Sequence, residues 1–112
     1  MNKLLLAMMG SGLILGAQAQ NITPLNTVLQ VMTFQDDTPV ILRGKIDRPL
    51  GKGKYQFSDN TGTIVLDIDD EVIGNMEILS EDIFEIHGDV DKGWFSTEID
   101  VEEIDVNLEK NK

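Results

Sequence analysis

The chain contains no cysteine. An oxidising compartment therefore offers it no disulfide, and stability must come from packing. Histidine is nearly absent too, with His87 the single copy. One imidazole without a thiol does not make a structural zinc site. Cations are also scarce: 9 Lys and Arg stand against 20 Asp and Glu, a formal net charge of −11. That balance opposes binding to nucleic acid or to an anionic membrane surface. No apolar run reaches the roughly 20 residues that a membrane-spanning helix needs.

What the chain does have begins at its N-terminus. Met1-Asn2-Lys3 is a short cationic start, and Leu4 to Leu15 is apolar apart from Gly10, Ser11 and Gly12. Ala17-Gln18-Ala19 then supplies the small-x-small pattern of a signal peptidase site. The expectation is a signal peptide over residues 1–19, cleaved to leave one domain over 20–112. No cysteine follows the apolar run, which excludes a lipid-anchored form. The mature protein is expected in the periplasm, with no membrane insertion after cleavage.

Charge is uneven along that domain. Arg43, Lys45, Arg48, Lys52 and Lys54 crowd one short stretch, and most of the acidic residues follow Asp59.

Periodicity gives the fold. Asn26 or Thr27 can cap a helix carrying Val28, Val31, Met32 and Gln35, which Asp36-Asp37-Thr38-Pro39 ends. Five period-two segments follow, inward at Val40-Leu42-Gly44-Ile46, Tyr55-Phe57, Ile64-Leu66-Ile68, Phe84-Ile86-Gly88-Val90 and Phe95-Thr97-Ile99-Val101. They are read as antiparallel strands. The phase breaks at Glu102-Glu103-Ile104, as at a bulge or a strand end. Turns are predicted at Pro49 to Gly53, Asp59 to Gly62 and Asp91 to Gly93. A longer insertion, "DEVIGNMEILSED", separates strands three and four and has room for a helical turn. Gly44 and Gly88 fall on inward positions, where a missing side chain lets a strand coil sharply. The fold class is mainly β: a five-stranded OB-fold barrel with an N-terminal helix and a short helical insertion between strands 3 and 4. An SH3-like barrel is the alternative, but it normally lacks that insertion.

The residues resemble a known family. Asp36-Asp37, Val40-x-Leu42-x-Gly44-x-Ile46 and Tyr55-x-Phe57-x-Asp59-x-Thr61-Gly62 carry the first part. Ile64-x-Leu66-Asp67-Ile68-Asp69, Glu85-Ile86-x-Gly88-x-Val90-Asp91-Lys92 and Glu98-Ile99-Asp100-Val101 carry the rest. From about Val28 to Ile104 the chain is similar to the bacterial OB-fold (BOF) family of YgiW/YdeI-type stress-tolerance proteins. One departure is visible, since the family usually carries a Trp before a Gly where Ile73-Gly74 stands here. The resemblance implies a periplasmic protein of envelope stress tolerance, without enzymatic activity and without a family-wide ligand.

The carboxylates invite a metal reading. In an OB-fold the third strand lies between the second and fifth, so Asp67 and Asp69 should stand beside Glu98, Asp100 and Glu102. Strand positions two apart bring carboxylates to one face but do not wrap an ion, which wants six to eight oxygens. "DIDDE" also lacks the turn glycine and distant glutamate of an EF-hand loop. A solvated acidic ridge is the expectation, with weak cation binding at Asp67, Asp69, Glu98 and Asp100 as the alternative. His87 is read as an exposed strand residue, with no nucleophile motif among Ser58, Ser80 and Ser96 to build a triad. No glycosidase cleft is expected, and no cofactor. Strands two and three present no outward aromatic, which argues against single-stranded nucleic acid. Trp94 and Phe95 follow the hairpin glycine; one is expected in the core, the other free to meet a partner.

The functional expectation is a non-enzymatic binding protein, monomeric or weakly associating, acting on an envelope protein or cell-wall fragment. Its candidate surface comprises Arg43, Lys45, Lys52, Lys54 and Trp94. The alternative is sequestration of cations or cationic peptides by the acidic ridge.

Overall fold

The computed structural model describes residues 24–107. The expected signal peptide lies outside them. Helix α1 (Val28–Val31) opens the described chain. Strands β1 (Pro39–Gly51), β2 (Lys54–Asp59) and β3 (Gly62–Asp67) follow, then helix α2 (Asp70–Ile73), and β4 (Ile83–Lys92) and β5 (Thr97–Asn107) complete it.

The strands close into a barrel in the order β1-β2-β3-β5-β4, the five-stranded OB-fold. One expectation fails here, because β5 runs parallel to β3. A closed ring of five strands cannot alternate direction all the way round, so one neighbouring pair must be parallel. β1 serves two neighbours: Pro39 to Gly44 pair with β4, and Lys45 to Gly51 pair with β2. Irregularities between Ile46 and Arg48 and between Pro49 and Gly51 bend its second half. The predicted first loop is correspondingly shorter. Only Lys52 and Gly53 separate the strands, and Gly51, Lys52 and Gly53 all adopt positive φ to make that reversal.

The inward positions are those the alternation marks. Leu42, Ile46, Phe57, Leu66, Phe84, Ile86, Val90 and Ile99 are fully buried, each contributing about 1.5–3 kcal/mol of hydrophobic stabilisation. Gly44 and Gly88 are inward and buried as expected. A Cβ on Gly44 would collide with the backbone carbonyl of Ser58, and one on Gly88 with that of Asp100. The phase break in β5 is a bulge, because Val101 pairs with Gly88 and Glu103 with His87, leaving Glu102 extra. The strand then continues with Ile104 buried.

α1 is shorter than predicted. Thr27 is its cap, with Thr27 Oγ1 accepting from the Gln30 N–H at 3.1 Å and Gln30 Oε1 accepting from the Thr27 N–H at 2.8 Å. That is a capping box. Asn26 instead exchanges hydrogen bonds with Ile41 on β1. Val28 and Val31 are buried, but Met32 and Gln35 are exposed, so no apolar stripe sustains a second turn. Asp59 anchors the helix from the β2–β3 turn, its Oδ2 accepting the Val28 N–H at 2.9 Å. Its other oxygen accepts from the Thr61 N–H and hydroxyl at 2.7 and 2.6 Å.

Candidate functional site

The cationic residues grouped by sequence are separated by the fold. Arg43 and Lys45 border a recess of ≈ 400 Å³ with Ser58, Asp59 and Asn60. Arg43 Nη2 donates to Glu85 Oε1 across the β1–β4 pair at 3.0 Å, and His87 Nε2 lies 2.9 Å from Glu85 Oε2. Hydrogen bonds from His87 and Arg43 hold the Glu85 carboxyl below its ordinary pKa. Lys52 belongs to a different recess, with Asp67, Asp69 and Asp70 around it. Lys54 lies across the acidic face, with Nζ 2.6 Å from Glu98 Oε1 and 4.0 Å from Asp67 Oδ2. Its pKa is raised, chiefly by the Glu98 hydrogen bond. Lys54 thus pairs with the carboxylates of the acidic face, and Lys52 shares a recess with them rather than with Arg43 and Lys45.

The acidic face is broader than sequence reasoning gave. Asp67 pairs with Asp100 across β3 and β5, and Asp100 pairs with Asp89 across β5 and β4. Three carboxylates thus form one row over three strands. Asp91 pairs with Glu98 one step along. Asp89 and Asp91 were missed as members of this face, although their outward phase on strand four was legible. The missing information was the β4–β5 register. Asp69 lies past the end of β3, at the N-cap position of α2 without a side-chain capping bond and exposed to water, yet its charge still acts on Asp100. Burial and then the charges of Asp67, Asp69, Asp91 and Asp89 push the Asp100 pKa up. Glu102 rises too, through its contact with Asp89. Among the described residues no group of three or more acidic or histidine side chains could hold a metal ion.

The aromatic pair overturns an expectation outright. Trp94 is 96% and Phe95 100% exposed, so neither enters the core. The alternation that placed Phe95 inward stops at Thr97, where β5 begins. Before it, the Gly93 N–H donates to the Ser96 carbonyl at 2.8 Å and closes a turn that projects both rings. The base of this hairpin is fixed. The Lys92 N–H donates to Asp36 Oδ1 at 2.8 Å, and Lys92 Nζ to the Met32 carbonyl at 3.0 Å.

An apolar groove of ≈ 560 Å³ lies elsewhere, between the end of β1 and the insertion that follows α2. Tyr55, Ile73, Met76, Ile78 and Leu79 line it, with Arg48 on the rim. No helix among the described residues is long and apolar enough to cross a membrane.

The barrel and its motifs agree with comparison to known proteins. The model of the bacterial OB fold (BOF) protein family matches residues 12–106. The chain belongs to this family. Protein YgiW of Escherichia coli K12 is 42% identical over 78 residues, 70% of this chain and 60% of YgiW. The matched stretch thus leaves a substantial part of that relative uncovered. The calcium-regulated OB-fold protein CarO of Pseudomonas aeruginosa is 36% identical over 92 residues, 81% of this chain and 79% of CarO. The solved structure of E. coli YgiW superposes with a TM-score of 0.73 at 39% identity, covering 75% of this chain and 90% of that one. The telomere capping protein Ten1 of S. pombe, at 17% identity and a TM-score of 0.64, shares the fold alone.

Proposed function

We propose that this bacterial OB-fold protein is a non-enzymatic periplasmic binding protein of envelope stress tolerance, taking an envelope protein or a cell-wall fragment. The observation that supports the reading is the β4–β5 hairpin, which holds Trp94 and Phe95 in water on a fixed base. Exposed aromatics on a rigid element are the usual anchors of an interface. In OB-folds generally, the loop between strands four and five borders the ligand surface.

Trp94 is the only tryptophan, so its fluorescence reports directly on whatever covers it. Envelope proteins and soluble cell-wall fragments, titrated separately, should shift its emission to the blue. Pull-down from envelope extract with Trp94→Ala should lose partners that Arg43→Gln with Lys45→Gln retains. Equal recovery with all three proteins would refute the hairpin as the binding element. An intact mass beginning at Gln20 in the periplasmic fraction tests the compartment.

A second reading is cation sequestration by the acidic face, favoured by the row Asp67, Asp100 and Asp89. CarO is described as calcium-regulated, which makes Ca²⁺ the first ion to titrate. Selective stabilisation by Ca²⁺ over Mg²⁺ would support this reading; equal effects would reduce it to screening.

A further inference from the structure

The hairpin that carries Trp94 and Phe95 stands among carboxylates. Its last strand pair is Lys92 with Thr97. One step back Asp91 faces Glu98, and three steps back Asp89 faces Asp100, about 3 and 10 Å along the strands. On the other flank Asp36 accepts the Lys92 N–H, and the Asp37 N–H donates to the Val90 carbonyl at 2.7 Å. From this charge, and resting on the binding role proposed for the hairpin, we infer that its partner is a protein that presents a lysine- or arginine-rich segment to Trp94 and Phe95.

The cations of this chain near the hairpin leave most of these acids unpaired. Lys54 is taken by Glu98 and reaches Asp67 at 4.0 Å. Lys92 Nζ donates to the Met32 carbonyl at 3.0 Å. Among the described residues no ion pair reaches Asp36, Asp37, Asp89, Asp91, Asp100 or Glu102. Both rings lie open to water, so an incoming basic segment meets aromatic faces and unpaired carboxylates within a few residues of one another.

These surroundings separate the two kinds of partner that the hairpin could take. A guanidinium or ammonium group is attracted to the face of an indole and to the carboxylates behind it. Cell-wall fragments with free carboxylates carry the same sign as the flanks and are repelled. Spacing favours charges carried on a chain over a single ion. Carboxylates on alternate strand residues, such as Asp89 and Asp91, lie about 7 Å apart, too far to wrap one cation but matched to successive basic side chains. Lys54 shows the local fit, with its ammonium 2.6 Å from Glu98 Oε1.

Calorimetric titration with three short peptides of equal leucine content tests the inference: one basic with lysine, one acidic with glutamate, one neutral with serine. The basic peptide should bind, shift Trp94 emission to the blue, and lose roughly tenfold in affinity between about 0.05 and 0.5 M salt. Trp94→Ala with Phe95→Ser should weaken it by roughly tenfold, and so should Asp89→Asn with Asp91→Asn. Glu103→Gln with Asp105→Asn is the control. It removes the same charge where β5 pairs with His87 and Glu85, roughly 20 Å along β4 from Asp91, and should leave affinity within about twofold. Far-UV circular dichroism checks that each variant is folded. Equal loss from the control would reduce the binding to net charge and overturn the inference. Tighter binding of the acidic peptide, the neutral peptide or a soluble cell-wall fragment at Trp94 would also overturn it, while leaving the hairpin as the binding element. Binding of no probe at Trp94, together with a pull-down unchanged by Trp94→Ala, would overturn the hairpin reading and the inference with it.

Discussion

Asp67 and Asp100 stand directly opposite one another where β3 and β5 pair in parallel. This seam closes the barrel over only three residue pairs, whereas β4 and β5 share ten. Repulsion is therefore concentrated where hydrogen bonding is thinnest. Leu66 and Ile99, paired between the carboxylates and fully buried, hold the seam from inside.

Asp67→Asn with Asp100→Asn should therefore stabilise the fold. Like charges opposed across strands cost up to about 1 kcal/mol, less for groups as exposed as these. The melting temperature should rise at about 0.01 M salt, where screening extends about 30 Å, and the gain should fade at about 1 M. A double variant that melts lower, with loss of a Ca²⁺-selective stabilisation, would mean that the row binds an ion.

Lys54 has the opposite sign. Its ammonium lies between Glu98 and Asp67 and offsets their charge on the second side of β3. Lys54→Gln should lower the melting temperature by a few degrees in dilute buffer and by less in high salt. Scanning calorimetry at both ionic strengths decides it. An unchanged melting point in dilute buffer would assign Lys54 no part in closing the seam.

The barrel glycines give a sharper test. Gly44→Ala and Gly88→Ala each place a Cβ against a backbone carbonyl that cannot swing aside as a side chain would. A loss of about 1–3 kcal/mol is expected for either. Gly93→Ala is the control, since its Cβ would meet the Ser96 carbonyl at 3.4 Å without demanding a positive φ. Urea denaturation of all three variants should separate the first two from the third.

These glycines also show what the sequence made legible. Strict alternation identified the inward face of every strand, because one buried and one wet face impose period two on residue choice. Gly44 and Gly88 break that pattern at inward positions, and each marks a close approach of backbone. Pairing between distant strands leaves no such trace. Asp89 and Asp91 join the acidic face through the β4–β5 register, and Lys54 reaches Glu98 from 44 residues away. Phe95 misled for a related reason, since period two says nothing about where a strand stops and a turn begins. The expected basic surface is divided for a similar reason: neighbours along a strand and hairpin diverge once the strand bends around a barrel.

Acid titration brings two carboxyls of opposite tendency into one measurement. Partial burial works to raise the Asp59 pKa, but hydrogen bonds from Thr61, Val28 and Gly62 prevail and lower it. The folded state then binds this proton less readily than the unfolded chain. Its contribution is complete above the unfolded value, about 3.9, and is lost as pH falls through the lower folded value. Asp100 behaves in reverse. Burial and its acidic neighbours raise its pKa, so the folded state takes up this proton first. Stability increases as pH falls through that raised value and the gain is complete below about 3.9. Descending from neutrality, stability should thus rise slightly, pass a maximum and then drop. Asp100→Asn should flatten the rise and leave the drop. Asp59→Asn should cost about 1–2 kcal/mol at neutral pH, as expected for weakened hydrogen bonds to a charged group, and make the acid drop shallower. Urea midpoints across the acid range for the three proteins measure both limbs. Identical profiles in wild type and Asp100→Asn would show that the crowded carboxylates are too well hydrated to feel one another.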